Sequence, residues 1–235
     1  MNSTKKLARI AGVLYIIIIV CAGFSEGFVR SGVIVPGDAA ATASNIAASE
    51  GLFRLGFVSD LIAFLSDLVV SVLLYILLKP VSKTLSLIAA SFRLLAHPAI
   101  ASVNLLNHFI ALLLLSGADY LAPFQTDQLH ALVLMFLNLH HYGYLIGGAF
   151  FGAHLLLLGY LLFKSDLFPG ILGFLIAVAS FGYLFESFGS FLFPAHEALF
   201  TWIVAVTAVI GEVSLALWLL IKGVREQPSD KIRVG

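Results

Sequence analysis

Long apolar runs, each interrupted by a few polar residues and parted by short polar turns, make up most of the chain. A helix crossing a bilayer needs about 20 residues at ~1.5 Å rise each. Runs at roughly 10–28, 52–78, 85–116, 139–163, 171–193 and 199–221 meet that length. They predict an all-α fold: a polytopic membrane helix bundle of six transmembrane helices in one integral membrane domain, with a polar tail at 222–235. More spans follow the first, so it reads as an uncleaved helix and not as a signal peptide. Between the first two runs, VPGDAAATASNIAASEG has Asp38 as a good N-cap, an Ala-rich middle and Gly51 just past its end. A short external helix lying over the mouth of the bundle follows from that pattern. The pattern from Leu129 to Phe163 would make a helix of ~50 Å, too long for one crossing and too short for two. A helical or re-entrant segment up to about Asn138 is therefore expected ahead of the fourth span. In the third span, His97-Pro98 should break or kink the helix.

The polar positions inside these runs carry the functional information. At about 100° per residue, His140, Tyr144, Gly147, Phe151 and His154 share one face of the fourth span. Asp60, Asp67 and Ser71 share a face of the second, and Arg93, His97, Ala101, Asn104 and His108 form a stripe on the third. Glu26, Glu186 and Glu212 add carboxylates from the first, fifth and sixth, and Arg54 sits in the second. Lipid offers such groups no hydrogen-bond partner, so they must face protein or a water-filled space. Counted at ~1.5 Å per residue, they fall into two tiers. Glu26, Arg54, Asp60, His108, His140 and Glu186 lie toward the outer boundary; Asp67, Asn104, His154 and Glu212 lie near mid-bilayer. Taken singly, each is more simply a structural group: Arg54 with Glu26 or Asp60 as a register-fixing ion pair, or a His or Asn bonding a neighbouring helix. Gly148, Gly152 and Gly159 read as close-packing positions. Taken together, five carboxylates facing two arginines point to a binding cavity.

Composition agrees with the membrane reading. Only 11% of the 235 residues are charged and 60% are hydrophobic, whereas soluble domains carry about 25% charged residues. A net charge of zero excludes a strongly basic nucleic-acid binder, and the single cysteine excludes an internal disulfide or a multi-cysteine metal site. Lys and Arg are distributed unevenly. Ten of the thirteen lie at the N-terminus, the turns at Lys79/Lys83 and Lys164, and the tail. With six spans these segments share one side, which the positive-inside rule makes cytoplasmic: N-in and C-in.

Three chemistries compete for the polar interior. Glu26, Asp60, His140 and Glu186 could hold a divalent metal such as zinc, whose bound water would make a metal-dependent intramembrane hydrolase. No HExxH or similar fixed-spacing motif supports this. Alternatively, Asp60, Asp67, His140, His154, Glu186 and Glu212 bind a small molecule or ion in a protein of transport or sensing type, in a cavity open to the outer side. Third, His140 and His154 are fourteen apart, as in b-type dihaem membrane cytochromes, but His97 and His108, eleven apart, match poorly and disfavour haem. No Ser-His-Asp order, Gly-rich phosphate loop or retinal-type intramembrane lysine is present.

Four stretches carry a resemblance: FVRSGVIVPGDAAATASNIAASEGLFRLG (Phe28 to Gly56), LLSGADYL (Leu114 to Leu121), LHHYGYLIGGAFFGAHLLLLGYLLFKS (Leu139 to Ser165) and GEVSLALWLLIKG (Gly211 to Gly223). Together they resemble an uncharacterised family of bacterial multi-pass membrane proteins, domain of unknown function 4386. The resemblance implies about six helices in the cytoplasmic membrane of a bacterium or archaeon, and it supplies no activity. Its stretches include Arg30, Arg54, His140, Tyr144, His154 and Glu212; His97, His108 and His141 fall where the family pattern does not demand histidine.

Overall fold

The structure, a computed structural model, describes residues 3–225, so most of the tail expected at 222–235 lies outside the described residues. The principal helices are α1 (Ser3–Val33), α2 (Ala39–Ala48), α3 (Glu50–Leu78), α4 (Lys83–Leu114), α5 (Thr126–Lys164), α6 (Gly170–Leu192) and α7 (Glu197–Ile221). All except α2 are long and apolar enough to cross a membrane. This is a multi-pass membrane protein, and its exposed leucines, valines and phenylalanines meet lipid chains.

The six spans close into a ring in chain order: α1 packs on α3, α3 on α4, α4 on α5, α5 on α6, α6 on α7, and α7 back on α1. Both ends of the described chain meet at one end of the bundle. There Arg9 Nη2 donates to the Ile221 carbonyl and the Arg225 amide donates to the Leu167 carbonyl. Lipid chains are as apolar as leucine, so close packing of small residues, not burial from water, brings such helices together. Gly159 of α5 and Gly173 of α6 face each other, each where a Cβ would press on the other's carbonyl oxygen. Gly152 lies against Leu184 in the same crossing.

At the end away from the termini, Asp38 Oδ1 accepts the Ala41 amide at 2.9 Å and starts α2. Ile46 on its inner face drops into an apolar cluster with Val33, Phe53, Leu112, Val133 and Leu137. Apolar side chains therefore pack against the inner face of α2, where the polarity pattern suggested a polar mouth. Asp38→Ala should cost α2 roughly 1 kcal/mol. The expected reading is faster amide hydrogen exchange over residues 39–48 while the six spans keep their protection.

α5 runs unbroken for 39 residues, ~58 Å at helical rise. A capping box between Gln125 and Gln128 opens it, and Val133 and Leu137 in its first turns are buried under α2. That burial keeps the extra turns helical, without a re-entrant piece. Two other spans contain π-helical stretches, Gly23–Arg30 in α1 and Leu95–Ala101 in α4. The second surrounds Pro98, whose missing N–H a wider turn absorbs. The first carries α1 on to Val33, so Arg30, in a loop by the hydropathy pattern, lies on a helix facing inward.

Candidate functional site

The buried polar groups gather in two tiers, and both are built from the same parts. In the tier far from the termini, Arg30 is the cation. Its Nε lies 2.6 Å from Glu26 Oε2, and its Nη1 lies 2.6 Å from Asp60 Oδ2. Ser25 Oγ donates to the same Asp60 oxygen at 2.8 Å. His108 Nε2 stands 3.1 Å from the Phe53 carbonyl, which can only accept, so that nitrogen carries the proton. Its Nδ1 then accepts from Arg30 Nη1 at 3.5 Å. The Arg30 guanidinium also covers the Tyr144 ring, 5.4 Å from its centroid.

Nearer the middle of the bundle, Arg93 repeats the arrangement, fully buried at 0% exposure. Its Nη2 pairs with Asp67 Oδ1, and its Nη1 reaches the Tyr15 hydroxyl at 3.3 Å and His154 Nε2 at 3.2 Å. His154 Nδ1 donates to the Ala89 carbonyl at 2.8 Å, so its Nε2 is the acceptor. His97 Nδ1 holds the other Asp67 oxygen at 3.1 Å. Glu212 completes the tier, accepting from Tyr15 at 2.9 Å and from Tyr183 at 2.8 Å.

Each tier is thus an arginine, an α3 aspartate and a histidine whose far nitrogen is spent on a backbone carbonyl. Each also sets two carboxylates against one arginine: Glu26 and Asp60 with Arg30, Asp67 and Glu212 with Arg93. Asp60 and Asp67, seven residues apart, lie ~10 Å apart along α3. An apolar layer of Ala63, Phe64, Ala101 and Leu105 lies between them.

His140 joins the distal tier, its ring 5.6 Å from that of His108 and 4.9 Å from that of Tyr144. Its Nδ1 donates to the Asn104 carbonyl at 3.0 Å, while the Asn104 amide donates back to the His140 carbonyl at 2.7 Å. Gly143 leaves the room that Asn104 occupies. His140 Nε2 and Asp60 Oδ1 are buried without a hydrogen-bond partner.

Of the residues singled out by spacing, Glu26, Asp60, His140 and Tyr144 meet in the distal tier, and Asp67, His154 and Glu212 in the central one. Two stand apart. Arg54 is half exposed and pairs with Glu50 at 2.7 Å, one turn away on the same helix. Glu186 lies across from α7, hydrogen-bonded to Thr201, with His141, Glu197 and Glu26 as charged neighbours. The groups set out for a metal therefore do not converge: Arg30 takes up Glu26 and Asp60, and Glu186 is bonded to Thr201. Among the described residues no group of three or more His, Cys, Asp or Glu side chains is placed to hold a metal ion. Haem fits no better, because both ring nitrogens of His154 are engaged.

Sequence reasoning left Arg30, Tyr15, Tyr183 and Ser25 out of the site, and gave Arg93, His97 and His108 only as a polar stripe on the third span, not among the ligand-binding groups. A signal existed for Arg93, since it shares a stripe with His97 and His108 and a buried Asp67 demands a cation. No pattern marks Tyr15, Tyr183 or Ser25, whose roles depend on how α1 and α6 turn in the ring.

No solved structure matches this chain. An uncharacterised protein of Archaeoglobus fulgidus is 34% identical over 159 residues, covering 67% of this chain and 76% of its own length. The family described as domain of unknown function (DUF4386) matches residues 10–223, so nearly the whole bundle, with both tiers, falls within it. The chain belongs to that family.

Proposed function

We propose that the chain binds a small molecule or ion at the distal tier, as a transporter or sensor does. We place that tier on the outer side of a prokaryotic cytoplasmic membrane, because the Lys- and Arg-rich segments cluster at the opposite end. The observation that carries the reading is the pair of buried acceptors without donors, Asp60 Oδ1 and His140 Nε2, at 1% and 2% residue exposure. A buried acceptor left unpaired costs about 1–3 kcal/mol, so such a pair is retained where something else supplies the donor.

The surroundings favour a cation or a hydrogen-bond donor over an anion. Arg30 is already covered by Glu26 and Asp60, and carboxylates outnumber arginines in the tier. Glu26, with its side chain 66% exposed, provides the contact with the outside. A ligand that draws on Asp60 changes what Arg30 must balance, and α3 carries Asp60 on the same rigid rod as Asp67.

Ammonium, methylammonium, sodium and potassium ions, titrated separately against the detergent-purified protein, test this. At least one is expected to raise the melting temperature, with a stabilisation of about 2.7 kcal/mol at a hundredfold excess over Kd. The response should vanish in His140→Phe and Asp60→Asn. Silence from all four ions, or equal responses in wild type and both variants, counts against the site.

A further inference from the structure

At the opposite end of the bundle, where the termini meet, lies a cavity of about 830 Å³ that neither tier touches. Its rim and floor differ in character. Lys164, at the end of α5, and Arg225, beyond α7, line it together with Ser82, Ser165 and Asp166. Lys79 and Lys83 flank the Pro80–Ser82 turn that forms one wall. Among the described residues that line it, two cations, Lys164 and Arg225, thus stand against one carboxylate, Asp166. Arg225 is held in place, since its amide donates to the Leu167 carbonyl at 2.9 Å and the preceding Val224 is packed into the core. Deeper in, the walls are apolar: Leu7 of α1, Ile76 of α3, Leu85 of α4 and Tyr160 of α5. These residues belong to the end turns of the spans, the first turns of α1 and α4 and the last of α3 and α5, so the opening sits at the membrane surface and the apolar walls lie on the hydrocarbon side.

We infer that this cavity is a binding site for the headgroup of an anionic phospholipid. The phosphodiester sits between Lys164 and Arg225, and the glycerol and first acyl carbons lie along Tyr160 and Leu85. A phosphate accepts charge-assisted hydrogen bonds from both cations at once. The apolar walls have no use for a free phosphate, whereas a lipid fills both halves of the cavity. Basic pockets between spans on the cytoplasmic face are where anionic headgroups are captured, and the Lys and Arg count assigns this end to that face. The inference stands independently of the ligand site at the other end.

Delipidated full-length protein, reconstituted in nanodiscs with phosphatidylglycerol and phosphatidylcholine in equal amounts, provides the test. Bound lipid is counted by mass spectrometry. Wild type is expected to retain phosphatidylglycerol over phosphatidylcholine by roughly 30-fold, the combined effect of two surface cations. Lys164→Gln/Arg225→Gln, both at exposed positions, should reduce the ratio to near one, and Lys164→Arg/Arg225→Lys should keep it. Equal retention of the two lipids by wild type overturns the inference, as does an unchanged preference in the glutamine variant. Displacement of the lipid by soluble glycerol phosphate also overturns it, assigning the cavity to a free phosphate ester.

Discussion

Arg93→Met is expected to lower the stability of the detergent-solubilised protein by about 3–5 kcal/mol, the cost of breaking a buried ion pair by removing one partner. Arg93 is fully buried and serves Asp67, Tyr15 and His154 at once. Without it the Asp67 carboxylate keeps only His97, and His154 Nε2 loses its donor. Arg93→Lys should fall between wild type and methionine, because a single ammonium cannot fork toward three partners. The double variant Arg93→Met/Asp67→Leu should recover much of the loss, since no unpaired charge is left inside. Thermal melts of wild type, Arg93→Met, Asp67→Leu and the double variant form a double-mutant cycle, with Arg93→Lys melted beside them. A methionine variant as stable as wild type would show that this tier does not hold the helices together.

The second large effect concerns the α5–α6 crossing. A Cβ on Gly159 would lie 2.8 Å from the Gly173 oxygen and 2.9 Å from the Ala177 amide nitrogen. One on Gly173 would lie 2.9 Å from Phe163 Cα. Every one of those neighbours is backbone, so a rotamer change brings no relief and the helices must separate. Gly159→Ala and Gly173→Ala should each cost about 1–3 kcal/mol, in the range of overpacked cores, and Gly159→Val more. Gly51→Ala provides the contrast: nothing lies within 4 Å of its Cβ position. There a helical alanine should gain roughly 0.5–1 kcal/mol over glycine. Melting temperatures of the three alanine variants read the difference directly; equal effects at all three sites would refute the close-packing account.

Both results bear on how far the amino-acid order alone reaches. Six spans, the short helix capped by Asp38 and the inward placement of Asp60, Asp67, His140, His154 and Glu212 all follow from one-dimensional rules. Bilayer thickness sets the run lengths, and the absence of hydrogen-bond partners in lipid turns polar side chains inward. Helical periodicity then puts His140, Tyr144 and His154 on one face. Gly159 is legible in the same way, because small residues mark where spans approach closely.

Pairing was not legible. Arg54 has the right depth and lies six residues from Asp60, yet it bonds Glu50 on its own helix surface. The cation in that tier is Arg30, which hydropathy places outside the first span. The π turns from Gly23 to Arg30 prolong α1 and rotate Arg30 inward. Their i→i+5 bonds advance each residue by a smaller angle than an α-helix does, a shift that no count at 100° per residue contains. Likewise, only the closed ring brings Tyr15 of α1 and Tyr183 of α6 onto Glu212 of α7.

The sequence by itself therefore determined the number of spans, their polar faces and the residue types buried between them, because these answer to the solvent each residue meets. Tertiary structure alone decided which arginine meets which carboxylate and that apolar side chains pack against the inner face of α2. It also decided which buried acceptors, Asp60 Oδ1 and His140 Nε2, were left without a donor. Those outcomes depend on helix rotation and on a few ångströms of packing between elements distant in the chain, quantities that periodicity and composition do not encode.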